Sequence, residues 1–492
     1  MKRQLLTRPK LLARMTLLIK AKLPGKQQLL IKVLLLQFGL CLFGPAAVFA
    51  QNSDSEYAVP LADVLRQIED HFKVKIKFTA EQVKDRQVKY APWRFRETLE
   101  ETFTNVLTPL DLKVNKEKEN LYKLKPYEYF RWNVADGWAK LDRLSSAVPD
   151  RASWEKRKKL LRPELFSALR LSPLPTKPAS KPIITHRRTM NGYTIENIAL
   201  EIMPGLYING SLYRPQKFKG KIPVILSPDG HWEGQRYRAD CQIRCAMIAR
   251  MGAMAFSYDL FAWGESLLQF KEADHRRSLA QTVQTLGGIR ILDYLLALPE
   301  TDVSRVGISG GSGGGSHTVL LTALDERIRL SAPVVAVSSY FYGGCPCESG
   351  MPVYSCGKGT NPVELAAMAA PKPQLIVSDG QDWTAQFPEH DYAYLQKIYG
   401  YYGAAGKIQN VHLPEEGHTF GFSKRKALYD FLIQQFALNG AKVKDGRGNY
   451  DESPVKVEEA PELYVFGKNG ENLPKNAIKG FDQLEKLFEN YN

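Results

Sequence analysis

Between residues 193 and 439, short apolar runs alternate with longer amphipathic stretches. No other feature limits so strongly what this chain can fold into. The runs PVILSPDG, AMAFSYD, SRVGISG, LSAPVVAVSS, KPQLIVSDG and NVHLPEEGH read as strands. Between them RADCQIRCAMIARMG, LAQTVQTLGGIRILDYLLAL and SHTVLLTALD read as helices, and KRKALYDFLIQQFAL follows as the last. This order requires crossover connections and therefore a mostly parallel sheet with helices on both faces, an α/β class. YTIENIALEI and GLYINGSLYRP, just upstream, read as an antiparallel strand pair.

The segment RVGISGGSGGGSHT contains the pattern G-x-S-x-G twice, centred on Ser309 and on Ser312. A nucleophile elbow needs a strand, a sharp turn at the serine and a helix directly after it. With Ser309 at the turn the strand would be short and three further glycines would open the helix, each costing roughly 1 kcal/mol against alanine. With Ser312 at the turn the strand runs to about Ser309, Gly310 and Gly314 flank the turn, and the helix begins near Gly315. The reading favours Ser312, with Ser309 buried in the strand.

In an elbow of this kind an acid and then a histidine follow the serine, each after a later strand. VSDGQDWT offers Asp379 at a strand end and Asp382 three residues out. Asp382 can turn toward the serine's strand and is the first choice. LPEEGHTFG offers His418 just before the last helix, whereas His412 lies inside a strand. Ser312, His418 and Asp382 are thus the expected nucleophile, base and orienting acid. The backbone N–H of Gly313 and that of His231, after PVILSPDG, are the expected oxyanion donors. Trp232, Trp263 and Trp383 lie beside these loops; their faces either stack on sugar rings or pack the loops.

With these residues placed, residues 195–437 resemble the α/β-hydrolase superfamily and, within it, the acetyl xylan esterase-like hydrolases. The matching pieces are SPDGHWEG, FSYDLFAWGES, SRVGISGGSGGGSHT, GGCPCESGMPV, VSDGQDWT and LPEEGHTFGFSKR. The resemblance implies a serine esterase acting on acyl, chiefly acetyl, esters of polysaccharides. It implies no cofactor. Relatives commonly carry His-Gly at the oxyanion turn, where this chain has Asp229-Gly230.

Residues 57–127 contain two amphipathic helices, PLADVLRQIEDHF and RFRETLEETFTNVL, with strand patterns between and after them. This small α+β unit resembles the short N-terminal domain of secretins and TonB-dependent receptors, which implies docking to an envelope protein. Residues 128–192 read as a helical connector and a Pro-rich linker, and 440–492 as a polar tail without an assigned role.

The 492 residues carry a formal charge of +15. Nine Lys or Arg and no acid fall in residues 1–50, leaving +6 for the remainder, so charge does not argue for a nucleic-acid partner. Those fifty residues read as an export signal: a basic region, VLLLQFGLCLFGPAAVFA, then polar QNSDSE, with cleavage after Ala50. Export implies a periplasmic or outer-membrane-associated protein of a Gram-negative bacterium, with no stable membrane span after cleavage. Cys241, Cys245, Cys345, Cys347 and Cys356 would remain. A bridge from Cys345 or Cys347 to Cys356 and buried thiols are both open. The C-x-C with a third cysteine hints at zinc, but no histidine lies among them in sequence, so no metal is expected.

Two other function classes stand beside the esterase: a prolyl-oligopeptidase-like peptidase, which shares the triad order, and a non-catalytic envelope binding or signalling protein. No propeller-length region precedes the hydrolase-like segment, and the complete set of three catalytic groups argues against a binding-only role.

Overall fold

The computed structural model describes residues 58–110, 112–126, 131–349 and 351–491. The export signal expected in residues 1–50 lies outside them. The chain divides into two compact units, residues 1–128 and 129–492. Among the described residues no helix is long and apolar enough to cross a membrane.

The smaller unit runs β1 (Ala58–Pro60), α1 (Leu61–Phe72), β2 (Lys75–Lys77), β3 (Gln87–Lys89), α2 (Leu99–Leu107), β4 (Leu112–Lys118) and β5 (Leu121–Pro126). Strands β1 and β3 pair antiparallel, and β2-β5-β4 form a second sheet. Leu61, Val64, Leu65 and Ile68 recur at helical spacing along α1 and bury against Phe103 and Val106 of α2 and Leu124 of β5.

The larger unit begins with α3 (Val134–Ala147) and α4 (Arg151–Ala168), the latter opened by a reciprocal capping box between Asp150 and Ser153. The connector expected here is packed, not free. Trp154 and Leu161 are fully buried, and Arg157 makes two bonds to the Glu364 carboxylate, at 2.8 and 2.9 Å.

The chain then enters a ten-stranded sheet. Its strands are β6 (Ile183–Ile184), β7 (Arg188–Thr189), β8 (Tyr193–Met203), β9 (Leu206–Pro215), β10 (Ile222–Pro228), β11 (Met254–Tyr258), β12 (Thr301–Gly311), β13 (Leu330–Val334), β14 (Gln374–Asp379) and β15 (Ile408–Leu413). The order is β15-β14-β13-β12-β10-β11-β9-β8-β6, with β7 also on β8. From β15 to β11 every pairing is parallel, and β9, β8, β7 and β6 are antiparallel.

Helices cover both faces, as the alternation requires. Leu286 and Ile289 of α6 (Ala280–Leu296), Leu320 of α7 (Gly313–Leu324) and Leu395 of α8 (Tyr392–Gly400) join one core. Met247 and Ile248 of α5 (Ala239–Met251) and Leu428 and Leu432 of α9 (Phe422–Phe436) join the other. Each such buried side chain contributes about 1.5–3 kcal/mol. Strand β10 supplies Val224 and Leu226 to the first core and Ile225 to the second, so its apolar run serves both faces.

The polar tail is bound to this unit. Glu265 accepts the N–H groups of Val465 and Phe466 at 2.9 and 2.8 Å, Arg188 pairs with Glu458, and α10 (Phe481–Glu489) buries Phe481, Leu484 and Phe488.

Candidate active site

The chain runs from β10 to β11 on one side and then returns to β12 on the other. The crevice between β10 and β12 is therefore a topological switch point, where loops at the carboxyl ends of parallel strands part and leave room for a ligand. The loop after β10 brings His231 to this place, and the turn after β12 brings Ser312.

Ser312 sits between β12 and α7 at φ 53°, ψ −123°, a backbone conformation that L-residues avoid. Tight packing holds it there. Its N–H donates to Val334 O at 3.0 Å. A Cβ on Gly310 or Gly314 would come within 2.6 Å of Pro228 O, and one on Gly230 within 2.8 Å of the Ser312 Cβ. The strand and helix reach further toward the serine than the sequence suggests, to Gly311 and from Gly313. The cost of glycine in a helix is outweighed because Cβ atoms at 313, 314 and 315 would strike His231, Pro228 and Ala336.

His418 Nε2 lies 2.8 Å from Ser312 Oγ, and its Nδ1 lies 2.6 Å from Asp382 Oδ2. Asp382 Oδ1 accepts from both the N–H and the hydroxyl of Thr384 at 2.6 Å. Burial pushes the Asp382 carboxyl up, but the bonds from His418 and Thr384 outweigh it and hold the group below its ordinary value. Asp379, the second choice of acid, instead pairs with the buried Lys424 at 2.8 Å. Ser309 donates to Ala332 O inside the sheet, and His412 bonds Ser378.

Ser312 and His418 open onto a cleft of about 430 Å³ lined by aromatic and charged side chains, with Asp382 buried behind them. Trp263, Trp383 and Phe341 stand in its wall; Trp383 packs 4.3 Å from the His418 ring. Trp232 is not among the lining residues. It lies against His418 and donates its indole N–H to the His418 carbonyl at 3.3 Å. Asp229, just before Gly230, is buried and accepts from Arg238 at 2.8 Å. Gly313 opens α7, so its N–H has no partner within the helix.

The sequence does not foretell the cluster that includes His275. The His231 side chain lines the cleft beside His275, Cys345 and Glu348. The nitrogen and sulfur atoms of His231, His275, Cys345 and Cys347 all lie within 4.8 Å of one another. All five described cysteines are buried and none is bridged, so the disulfide to Cys356 is not formed. His275 had no sequence signal, because the four residues come from three separate loops and no single stretch carries their spacing.

The parallel sheet, its two helical layers and the serine on the strand-to-helix turn make the chain an α/β-hydrolase. It is similar to the solved structure of methylesterase BT1017, at 46% identity over 90% of this chain and 99% of that one, with a TM-score of 0.71. The chain belongs to the family of that methylesterase. Acetyl esterase Axe7A of Xylanibacter ruminicola is 28% identical over 138 residues, which are 25% of this chain; the match spans 30% of that relative's length. No protein-family model matches the chain.

Proposed function

We propose that this protein is a serine esterase that hydrolyses methyl esters borne by carbohydrate. The observation that carries the reading is the unbroken line of hydrogen bonds from Ser312 through His418 to Asp382, opening onto the cleft. Ser312 Oγ attacks the ester carbonyl while His418 Nε2 takes its proton. Asp382 keeps the imidazole in the tautomer with Nε2 free and stabilises the cation that forms. The N–H groups of Gly313 and His231 hold the tetrahedral oxyanion. His418 then protonates the leaving alcohol, and water releases the acyl group by the same steps in reverse.

The relative's name supports a methyl leaving group. On a sugar, a methyl ester is carried by a uronic carboxyl. Arg276 in the cleft wall suits the neighbouring free carboxylates of such a chain, and Trp263 and Trp383 offer faces to sugar rings. The match to an acetyl esterase favours acetyl esters as the second reading. Methanol release from a methyl-esterified polyuronate, against acetate release from acetylated xylan, separates the two. Activity on neither, by folded protein, overturns both. The basic and apolar character of residues 1–50 supports an exported enzyme, and we assign the small N-terminal unit the role of docking it to an envelope protein.

A further inference from the structure

We propose that His231 Nε2, His275 Nε2, Cys345 Sγ and Cys347 Sγ are the four ligands of a structural zinc ion in the wall of the cleft.

The ring hydrogens fix which nitrogens carry lone pairs. His231 donates its Nδ1–H to Glu348 Oε1 at 2.6 Å, and His275 donates its Nδ1–H to the carbonyl of Phe261 at 2.5 Å. A carbonyl and a carboxylate can only accept, so each neutral ring carries its proton on Nδ1 and a lone pair on Nε2. Those two Nε2 atoms lie 2.8 Å apart. The sulfurs join them: Cys347 Sγ is 3.0 Å from His231 Nε2, Cys345 Sγ is 3.4 Å from each Nε2, and the sulfurs are 2.8 Å apart. A disulfide requires about 2.05 Å, so these are two separate sulfurs. Four lone-pair donors converge on one point. A proton there serves two of them; a metal ion serves all four.

The chemistry selects zinc. Two thiolates and two imidazoles suit a tetrahedral zinc ion. Ligand distances near 2.3 Å for sulfur and 2.0 Å for nitrogen put the edges of that tetrahedron at roughly 3.3–3.8 Å, so the close pairs draw apart by at most about 1 Å. Binding releases the two thiol protons. Two thiolates then balance the dication, so the centre itself has no net charge to bury. The acceptors of the two Nδ1–H groups, a carboxylate and a backbone carbonyl, are the outer partners that fix zinc-binding histidines. All four positions are filled by protein, which marks a structural ion. It ties together the loop after β10, the turn at 272–276 and the loop after β13, all of which line the cleft. Glu348 is a positioning residue, holding the ring of His231 and accepting from Gly344 N–H at 3.1 Å.

The test uses the full chain, purified without chelator under reducing conditions, supplied with zinc and dialysed. Metal analysis is expected to return about one zinc per chain, falling below about 0.1 in Cys345→Ser/Cys347→Ser and unchanged in Cys356→Ser. X-ray absorption at the zinc edge of the unaltered chain is expected to show two sulfur and two nitrogen neighbours, and needs no variant to fold. Cobalt in place of zinc should give thiolate charge-transfer bands. No retained zinc in folded chain, equal zinc in the double variant, only nitrogen and oxygen neighbours, or a Cys345–Cys347 disulfide would each overturn the proposal. None of these readings depends on ester hydrolysis.

Discussion

Asp382 reaches His418 Nδ1 at 2.6 Å, while Asp379, three residues earlier, is committed to Lys424 at 2.8 Å. Asp379 ends β14 and Asp382 lies in the loop after it, and each has a different task. Asp382→Asn should lower kcat by roughly 10⁴-fold with the fold intact, because the amide favours the wrong tautomer of His418. Asp379→Asn should instead cost about 3 kcal/mol of stability, since it leaves the buried Lys424 cation with only Glu416, at 3.7 Å, to balance it. Steady-state rates and denaturant midpoints on the two variants check this; a large rate loss confined to Asp379→Asn would reverse the assignment.

The two serines divide in the same manner. Ser312→Ala should remove activity by roughly 10⁵–10⁶-fold in kcat. Ser309→Ala loses one bond, to Ala332 O, and should cost about 1 kcal/mol while leaving kcat/KM within twofold. Equal rate losses in both variants would refute the elbow at Ser312.

Much of this arrangement is legible in the chain. Strands β10, β11, β13 and β14 are buried along their length, and β12 from Val306 onward, so their apolar runs show, and the alternation with helices leaves one fold class. Glycine cost points to Ser312 over Ser309. What stays hidden depends on contacts distant in sequence. The tail looks unattached because its anchors are backbone N–H groups received by Glu265, two hundred residues away. The cluster of histidines and cysteines is invisible because Cys345 and Cys347 meet His231 and His275 only after three loops converge. Helix α7 starts early because sterics at the elbow override propensity.

Gly230 tests how tightly the loop after β10 must approach the serine. An alanine there would place its Cβ 2.6 Å from Gly311 O and 2.8 Å from the Ser312 Cβ, and neither backbone can yield without moving the elbow. Gly230→Ala should therefore reduce kcat/KM by roughly 10²-fold through displacement of the oxyanion donors, with secondary structure unchanged by circular dichroism. A variant as active as the parent would show that this loop does not shape the reaction.

His317, on α7, gives the larger unit a pH-dependent weakness. Its ring is buried against Tyr258, Nε2 has no hydrogen-bond partner, and burial lowers its pKa to about 4 from an ordinary 6.5. The unfolded chain therefore binds this proton below about pH 6.5, while the folded chain refuses it until about pH 4. The stability associated with neutral His317 is complete above 6.5 and is lost as pH falls through that window, by about 3 kcal/mol in all. His317→Leu keeps an apolar side chain in the packing and has no proton to take up. Denaturant midpoints of parent and variant between pH 7 and pH 4 should diverge, with the variant gaining relative stability as the solution is acidified. Glu265 and Asp391, whose carboxyls burial pushes up to about 6, respond in the opposite sense, but they are common to both proteins and cancel in the difference. Parallel curves would mean that the folded chain accepts the proton on His317 as readily as the unfolded one.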